Sequence, residues 1–293
     1  MKNLLLFVFL FSWLTVFGQG FDDVEVKIHP VTENIFMLEG MGGNIGLSVG
    51  DDGVLLIDDQ FAELGPKIES AIASVSDHPV KYLVNTHWHG DHTGSNSHFS
   101  EKGAIIIAHE NVRERLSTDQ VRPFRRSTPA SPVSAWPELT FGDAMKIHMN
   151  GESIHLIHVH NAHTDGDAMV YFPESNVLHM GDLFFNHRFP YVDTSSGGHP
   201  DGAIKAVDAA LMIADKDTKI IPGHGEQAGY QDLLDYKAMW LEMRSRVMDA
   251  IDQDVAIDTA DVDALIKGYE EWEWGFIDGK KFLKMLFGAY SGE

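Results

Sequence analysis

The chain has 293 residues, 44% of them hydrophobic and 23% charged, the balance of a folded globular protein with material for a substantial core. Its 44 Asp and Glu against 22 Lys and Arg give a formal charge of −22. That argues against nucleic acid or an anionic membrane surface as partner, since both are bound through cationic contacts. Cysteine is absent, which excludes disulfides and an N-terminal lipidated cysteine and requires any metal to be held by nitrogen and oxygen.

The N-terminus reads as an address rather than as structure. Lys2 supplies a short positive region, and Leu4 to Phe17 is apolar apart from Ser12 and Thr15. Val16 and Gly18 fit the small-residue rule for cleavage before Gln19. The run is shorter than the ~20 apolar residues a membrane span needs. Residues 1–18 are therefore expected to be a cleaved signal peptide and 19–293 a single domain with no stable membrane anchor. Export to a periplasm or the exterior follows from that expectation.

Short apolar runs then alternate with turn signals. Val24–Ile28, Ile35–Leu38, Ile45–Val49 and Val54–Ile57 are strand-like, and Gly50-Asp51-Asp52-Gly53 is a turn. Leu64 to Val75 has helical spacing with Pro66 near its start, where proline is tolerated. Val80–Asn85 reads as a buried strand running into His87, Ala104–Ala108 as another, and His109–Leu116 as a helix. Residues 117–138 carry Pro123, Pro129, Pro132 and Pro137 among Arg, Ser and Thr, which predicts a long surface loop of functional type. Strands resume at Met145–Met149, Ser153–His158, Ala168–Phe172 and Val177–His179. A helix at Asp201–Ala214, a strand at Lys219–Ile221 and a helical tail from Gln231 follow. Two halves of similar layout, without a sequence repeat or a linker, predict sheets packed together and covered by helices, a layered α/β domain.

His87, His89, Asp91 and His92 lie within six residues, between a strand and the Gly94-Ser95 turn. In an extended segment residues 87, 89 and 91 project to one side and His92 to the other, which suits two adjacent metals. Neutral imidazoles and a carboxylate suit zinc without sulfur, and also iron or manganese.

Thr86-His87-Trp88-His89-Gly90-Asp91-His92-Thr93-Gly94 resembles the HxHxDH signature of the metallo-β-lactamase superfamily. Later family segments appear in order: Ala162-His163-Thr164-Asp165-Gly166-Asp167, Met180-Gly181-Asp182-Leu183-Phe184 and Pro222-Gly223-His224-Gly225. The resemblance spans most of the mature chain and implies a four-layer αβ/βα sandwich with two zinc ions. It assigns His87, His89 and His163 to one metal, and Asp91, His92 and His224 to the other, with Asp182 shared. A metal-held hydroxide would attack a carbonyl, with Asp91 as the catalytic residue that orients and handles a proton.

Around this core the residues leave choices open. Asp58 either orients a ligating imidazole or caps a turn, and Thr86 is similar. His155, His158 and His160 alternate near His163 but fall outside the family pattern, so they are not assigned as ligands. Arg188, close behind Asp182 with Asn186 and His187, can clamp a substrate carboxylate or pair with one of many acids. Trp88 either lines the mouth of the site or packs behind the metals. Met41-Gly42-Gly43-Asn44 is expected to form a mobile loop over the pocket, and the apolar residues of the tail to be core. Selectivity is expected to reside in the loops 41–44, 117–138 and 186–199.

The family resemblance also narrows the chemistry. The diiron flavoprotein variant HxExD is absent, since residue 89 is His. Absent cysteine departs from the β-lactamases whose second metal takes a thiolate, and Asp182 fits the group typified by glyoxalase-II and lactonase enzymes. The leading expectation is an exported binuclear zinc hydrolase that opens a cyclic amide or ester in a small-molecule substrate. The alternatives are a mononuclear iron oxygenase acting on sulfur, a hydrolase of thioesters or of phosphate or sulfate esters, and a catalytically idle binding module.

Overall fold

Apolar runs separated by Gly- and Asp-rich turns pair into two sheets in a computed structural model that describes residues 20–121 and 127–291. The leader at 1–18 and Pro123 of the 117–138 loop lie outside the described residues. In the first sheet β1 (Lys27–Pro30), β2 (Ile35–Glu39), β3 (Ile45–Gly50), β4 (Gly53–Ile57), β5 (Val80–Val84), β6 (Ile105–His109) and β7 (Leu139–Phe141) follow chain order. Antiparallel pairing gives way to parallel pairing from β4 onward, where helices cross over. The second sheet comprises β8 (Ala144–Met149), β9 (Glu152–His158), β10 (Ala168–Phe172), β11 (Val177–Phe185), β12 (Lys219–His224) and β13 (Ala228–Gly229). Only its β11–β12 pair is parallel.

Eight helices are described: α1 (Gly65–Ala73), α2 (Gly90–Thr93), α3 (Asn96–Ser100), α4 (Glu110–Ser117), α5 (Pro200–Ile213), α6 (Tyr230–Asp252), α7 (Val262–Leu265) and α8 (Gly279–Ser291). The layers follow from the period of two along each strand. On β4, Leu55 and Ile57 meet Leu156, Val170 and Phe172 of the second sheet, while Val54 and Leu56 pack with Ile68 of α1 and Phe99 of α3. On β10, Met169 turns away from the other sheet into a third cluster with Val207 of α5, Trp240 of α6 and Phe282 of α8. Helix, sheet, sheet, helix: this is the four-layer sandwich that the resemblance implies. No helix among the described residues is long and apolar enough to cross a membrane.

Several boundaries differ from expectation. β1 begins at Lys27 rather than Val24, because Phe21–Asp23 forms a helical turn instead. Lys67 of α1 gathers the carbonyls of Phe21, Asp22 and Val24, which holds that segment off the sheet. β7 has no counterpart among the expected strands; three residues are too short to show alternation. β11 runs to Phe185, not His179, and every one of its residues is buried.

The helical layer over the second sheet also clamps a loop. Phe189 stacks on Phe282 of α8 at 4.5 Å and 14°, and its N–H donates to the Trp272 carbonyl at 2.8 Å. Phe282→Ala should therefore cost about 3–5 kcal/mol of unfolding free energy, read from denaturant titration. A second prediction concerns acid. His109 Nδ1 accepts the Asn111 N–H and so caps α4, which requires a neutral ring. Burial and the stacked His158 push His109 down to about 4. The unfolded chain takes up that proton near ~6.5 and the folded chain does not until about 4, so folding weakens as pH falls across that interval. His109→Asn keeps a cap acceptor without the titration, and its stability profile should be flatter there than the parent's. Parallel profiles would count against the assignment.

Candidate metal centre

His87 lies three residues past the end of β5, and the chain then turns into α2. Because a helical turn begins at Gly90, alternation stops there. His87 and His89 consequently converge with each other, whereas Asp91 and His92 go together to a second group. This corrects the extended reading, which puts 87, 89 and 91 on one side. His163 lies in the turn between β9 and β10, Asp182 on β11 and His224 at the end of β12. The structure thus assembles all seven predicted ligands into two adjoining groups, His87, His89, His163 and Asp182, then Asp91, His92 and His224.

Outer partners settle which nitrogen of each ring faces inward. The Asp58 carboxylate accepts from the Thr86 N–H and hydroxyl, both at 2.7 Å, so the hydroxyl oxygen is left to accept from His87 Nδ1 at 3.1 Å. Asp58 Oδ2 also accepts from His92 Nδ1 at 2.7 Å. Asp58 is fully buried and thus an orienting carboxylate, which decides between its two readings. His163 Nδ1 donates to the Tyr191 carbonyl at 2.7 Å, and His89 Nε2 to Asp193 Oδ2 at 3.1 Å. The inward atoms are therefore Nε2 of His87, His92 and His163, but Nδ1 of His89.

Those inward atoms are lone pairs aimed at one another. His89 Nδ1 lies 3.1 Å from His87 Nε2 and 2.9 Å from His163 Nε2, with Asp182 Oδ2 3.3 Å from His163 Nε2. With the ring protons already committed outward, this first group has four acceptors and no hydrogen to share. In the second group Asp182 Oδ1 sits 3.1 Å from His92 Nε2 and 3.3 Å from His224 Nε2. Asp91 Oδ2 lies 3.7 and 3.5 Å from the same nitrogens. His92 Nε2 and Asp182 Oδ1 are buried without a hydrogen-bond partner, a costly arrangement unless a cation fills it. The donor set thus fits metal ions, and the two oxygens of Asp182 divide between the two groups.

Protonation agrees with that fit in the first group. Burial, then the neighbouring His92, hold His87 well below the usual imidazole value, and burial also lowers His163. Both are therefore neutral and able to coordinate. Burial alone would raise Asp182, but His92, His224 and His163 hold it well below the usual carboxylate range. Burial opposes charge on His92 as well, yet Asp182, Asp91 and Asp58 outweigh it and raise its pKa, so this ring must give up a proton for its Nε2 to coordinate.

The remaining candidates fall out as follows. Arg188 lines the cleft over the metal groups, its guanidinium 5.0 Å from the Trp274 ring. Trp88 is 5% exposed; it packs with Ala108, Val112 and Leu116 behind His89 and contributes one edge to the cleft. The 41–44 segment lies over the site but is pinned rather than loose. Gly43 donates to the Asp91 carbonyl, Asn44 to those of Gly223, Pro222 and Gly225, and Gln60 to that of Gly43. A Cβ at Gly43 would fall 2.0 Å from the His92 ring, so only glycine permits the approach. His158 stacks on His109 and contacts His160, away from the ligands. Two features escape sequence reasoning. Asp193 looks like any turn aspartate, and the residues from Trp274 to Met285 that wall the cleft look like core.

Comparison with known proteins agrees with this geometry. The model of the metallo-beta-lactamase superfamily matches residues 38–224. A 2,4-dinitroanisole O-demethylase subunit alpha from Nocardioides sp. (strain JS1661) is 30% identical over 170 residues, 56% of this chain and 46% of that protein. The metallo-beta-lactamase IND-1 of Chryseobacterium indologenes is 26% identical over 151 residues, 52% of this chain and 58% of that one. The matches thus span about half the length of these curated relatives. Among solved structures, the stereoselective inverting sec-alkylsulfatase Pisa1 from Pseudomonas sp. superposes with a TM-score of 0.66 at 15% identity, over 91% of this chain and 50% of its own. That likeness is one of fold. With the family model covering more than half of the chain and the two layered sheets and metal-ligand groups in place, the protein belongs to the metallo-β-lactamase superfamily.

Proposed function

We propose that this protein is a binuclear zinc hydrolase that opens a cyclic amide or ester in a small-molecule substrate. The observation that carries the reading is the division of the Asp182 carboxylate, with Oδ2 toward His87 and His163 and Oδ1 toward His92 and His224. One metal needs one such set, and this chain offers two sets of donors. Nitrogen and carboxylate donors without thiolate suit zinc. The IND-1 relative, by its name a metallo-beta-lactamase, lends weight to a strained cyclic amide as one substrate type. The leader-like run from Leu4 to Phe17 supports export as part of the same reading.

When bound, the two ions supply an acidified water and polarisation of the carbonyl. The chain's own residues do the rest. His87, His89 and His163 would hold one ion and Asp91, His92 and His224 the other, the rings kept in one tautomer by Asp58, Thr86, Tyr191 or Asp193 where those bonds exist. Water adds its oxygen to the carbonyl carbon as the ring C–N or C–O bond breaks, and the leaving atom requires a proton. Asp91 is placed to carry it: its Oδ2 faces His92 and His224, its side chain is 27% exposed, and it lines the cleft. Trp88 and Phe185, packed beside the rings, exclude bulk water from one flank.

Metal analysis of the mature chain should return about two zinc per protein, as the two donor sets require. A hydrolysis screen over β-lactams, lactones, thioesters and phosphodiesters should show turnover that chelator removes and zinc restores. His89→Ala or Asp182→Ala should lower kcat/KM by more than about a hundredfold, beyond the effect of losing an outer partner. One iron per chain with oxygen consumption would overturn the reading. Asp193→Asn keeps the shape but weakens the acceptor for His89, so zinc affinity should drop about ten- to hundredfold. Competition with a chromogenic chelator measures it, and circular dichroism should show the fold unchanged.

A further inference from the structure

We propose that the chain beyond residue 265, together with Arg188, forms a subsite for the anionic end of an amphipathic substrate. The substrate class is an extended apolar or aromatic body bearing a carboxylate or sulfate-type oxyanion. The inference rests on the hydrolase reading for the chemistry at the metal end, and on separate observations for the binding end.

The first observation is size. The cleft over the metal groups encloses about 1960 Å³, beyond the ~300–1,000 Å³ of ordinary small-molecule sites, so a compact ring would leave much of it unfilled. The second is composition. Trp274, Phe276, Ile277 and Met285 wall it, with Met41 and Phe61 from the first half of the chain. All four C-terminal wall residues lie past residue 224, where the family model ends, so the family pattern does not specify this surface.

The third observation is the line of contact running out from the metal. The Trp274 ring lies 5.4 Å from that of His224, and Arg188 lies 5.0 Å from Trp274. The indole cannot swing freely, because its Nε1 donates to the Phe189 carbonyl at 2.9 Å. A held indole therefore lies between the reacting centre and the Arg188 cation.

The fourth is charge. In a chain with 44 carboxylate side chains, Arg188 forms no ion pair among the described residues, and neither does Lys284 on the same cleft. Lys281 donates to the Phe276 carbonyl, which holds that turn. Apart from Glu39 and Glu226, the acids lining the cleft belong to the metal groups. A planar, half-buried guanidinium on an aromatic face, with its donors uncommitted, is the arrangement that binds an oxyanion through paired hydrogen bonds. The protein's overall negative field repels anions, so such a ligand needs a local cation.

Calorimetric titration of the zinc-loaded mature chain tests this without turnover. The probes are 4-phenylbutanoate, 3-phenylpropyl sulfate and the neutral 4-phenylbutanamide. At least one anionic probe should bind about tenfold or more tighter than the amide, and the two anions show which oxyanion fits. Arg188→Gln should erase that preference, weakening the anion by about ten- to hundredfold with zinc content and melting temperature unchanged. Trp274→Ala should weaken all three probes alike. Equal binding of anions by Arg188→Gln and the parent, or equal loss of all three probes in Arg188→Gln, would overturn the subsite. Arg188-dependent binding without hydrolysis of any screened compound would retain the subsite and sink the hydrolase reading. Hydrolysis with no preference for anions would do the reverse.

Discussion

A single buried carboxylate facing two sets of imidazole nitrogens is the constraint around which the molecule is arranged. Asp182 is 8% exposed, and its oxygens lie 3.1 Å from His92 Nε2 and 3.3 Å from His163 Nε2 and His224 Nε2. Such convergence costs several kcal/mol in the absence of a cation, so the surrounding frame has to impose it. The frame does so with close backbone approach. Parallel pairing of β11 with β12 brings His224 beside Asp182, and a Cβ at Gly223 would lie 2.2 Å from Asp182 Oδ1. A metal held by these acceptors would offset that cost and return stability to the fold.

The ligands come from both sheets, so the site depends on how the sheets face each other. His87 to His92 leave the first sheet after β5, while His163, Asp182 and His224 belong to the second. Between them lies the apolar seam of Leu55, Ile57, Val84, Leu156, Val170 and Phe172. Slipping β5 or β11 by one residue within its sheet would turn its side chains out of this seam and separate the two ligand sets. Backbone bonds stitch the seam near the metals too: Ala168 donates to Thr86, and Asn44 to Gly223. The core and the metal centre are one problem in packing.

The same dependence on sheet packing explains which features are legible in the sequence and which are not. The ligands stand out because their types and spacing are unusual in themselves, and strands such as β4 and β10 because burial on alternate faces leaves a period of two. Asp58 is ambiguous in sequence, since capping and orienting aspartates look alike in one dimension; only its bonds to Thr86 and His92 separate them. Asp193 reaches His89 across 104 residues of chain, a distance no local pattern encodes. Glycines in the 41–44 loop suggest freedom, yet Gly43 is small for the sake of contact with His92. In the tail, Phe287 and Trp274 carry the same apolar signal, but one is core and the other is wall.

The C-terminal elements join these themes, because they act on both the cleft and the metal. Residues 189–193 supply the Tyr191 carbonyl to His163 and the Asp193 carboxylate to His89. On its other side the same segment leans on the tail: Phe189 stacks on Phe282, and the Val192 N–H donates to Met285 Sδ at 3.0 Å. Met285 and Trp274 in turn line the cleft. A change in the tail that reshaped the pocket would shift the segment that orients two of the imidazoles. The cleft wall and the outer partners of His89 and His163 therefore meet in one short loop. The fold can vary its wall only as far as His89 and His163 keep their outer partners.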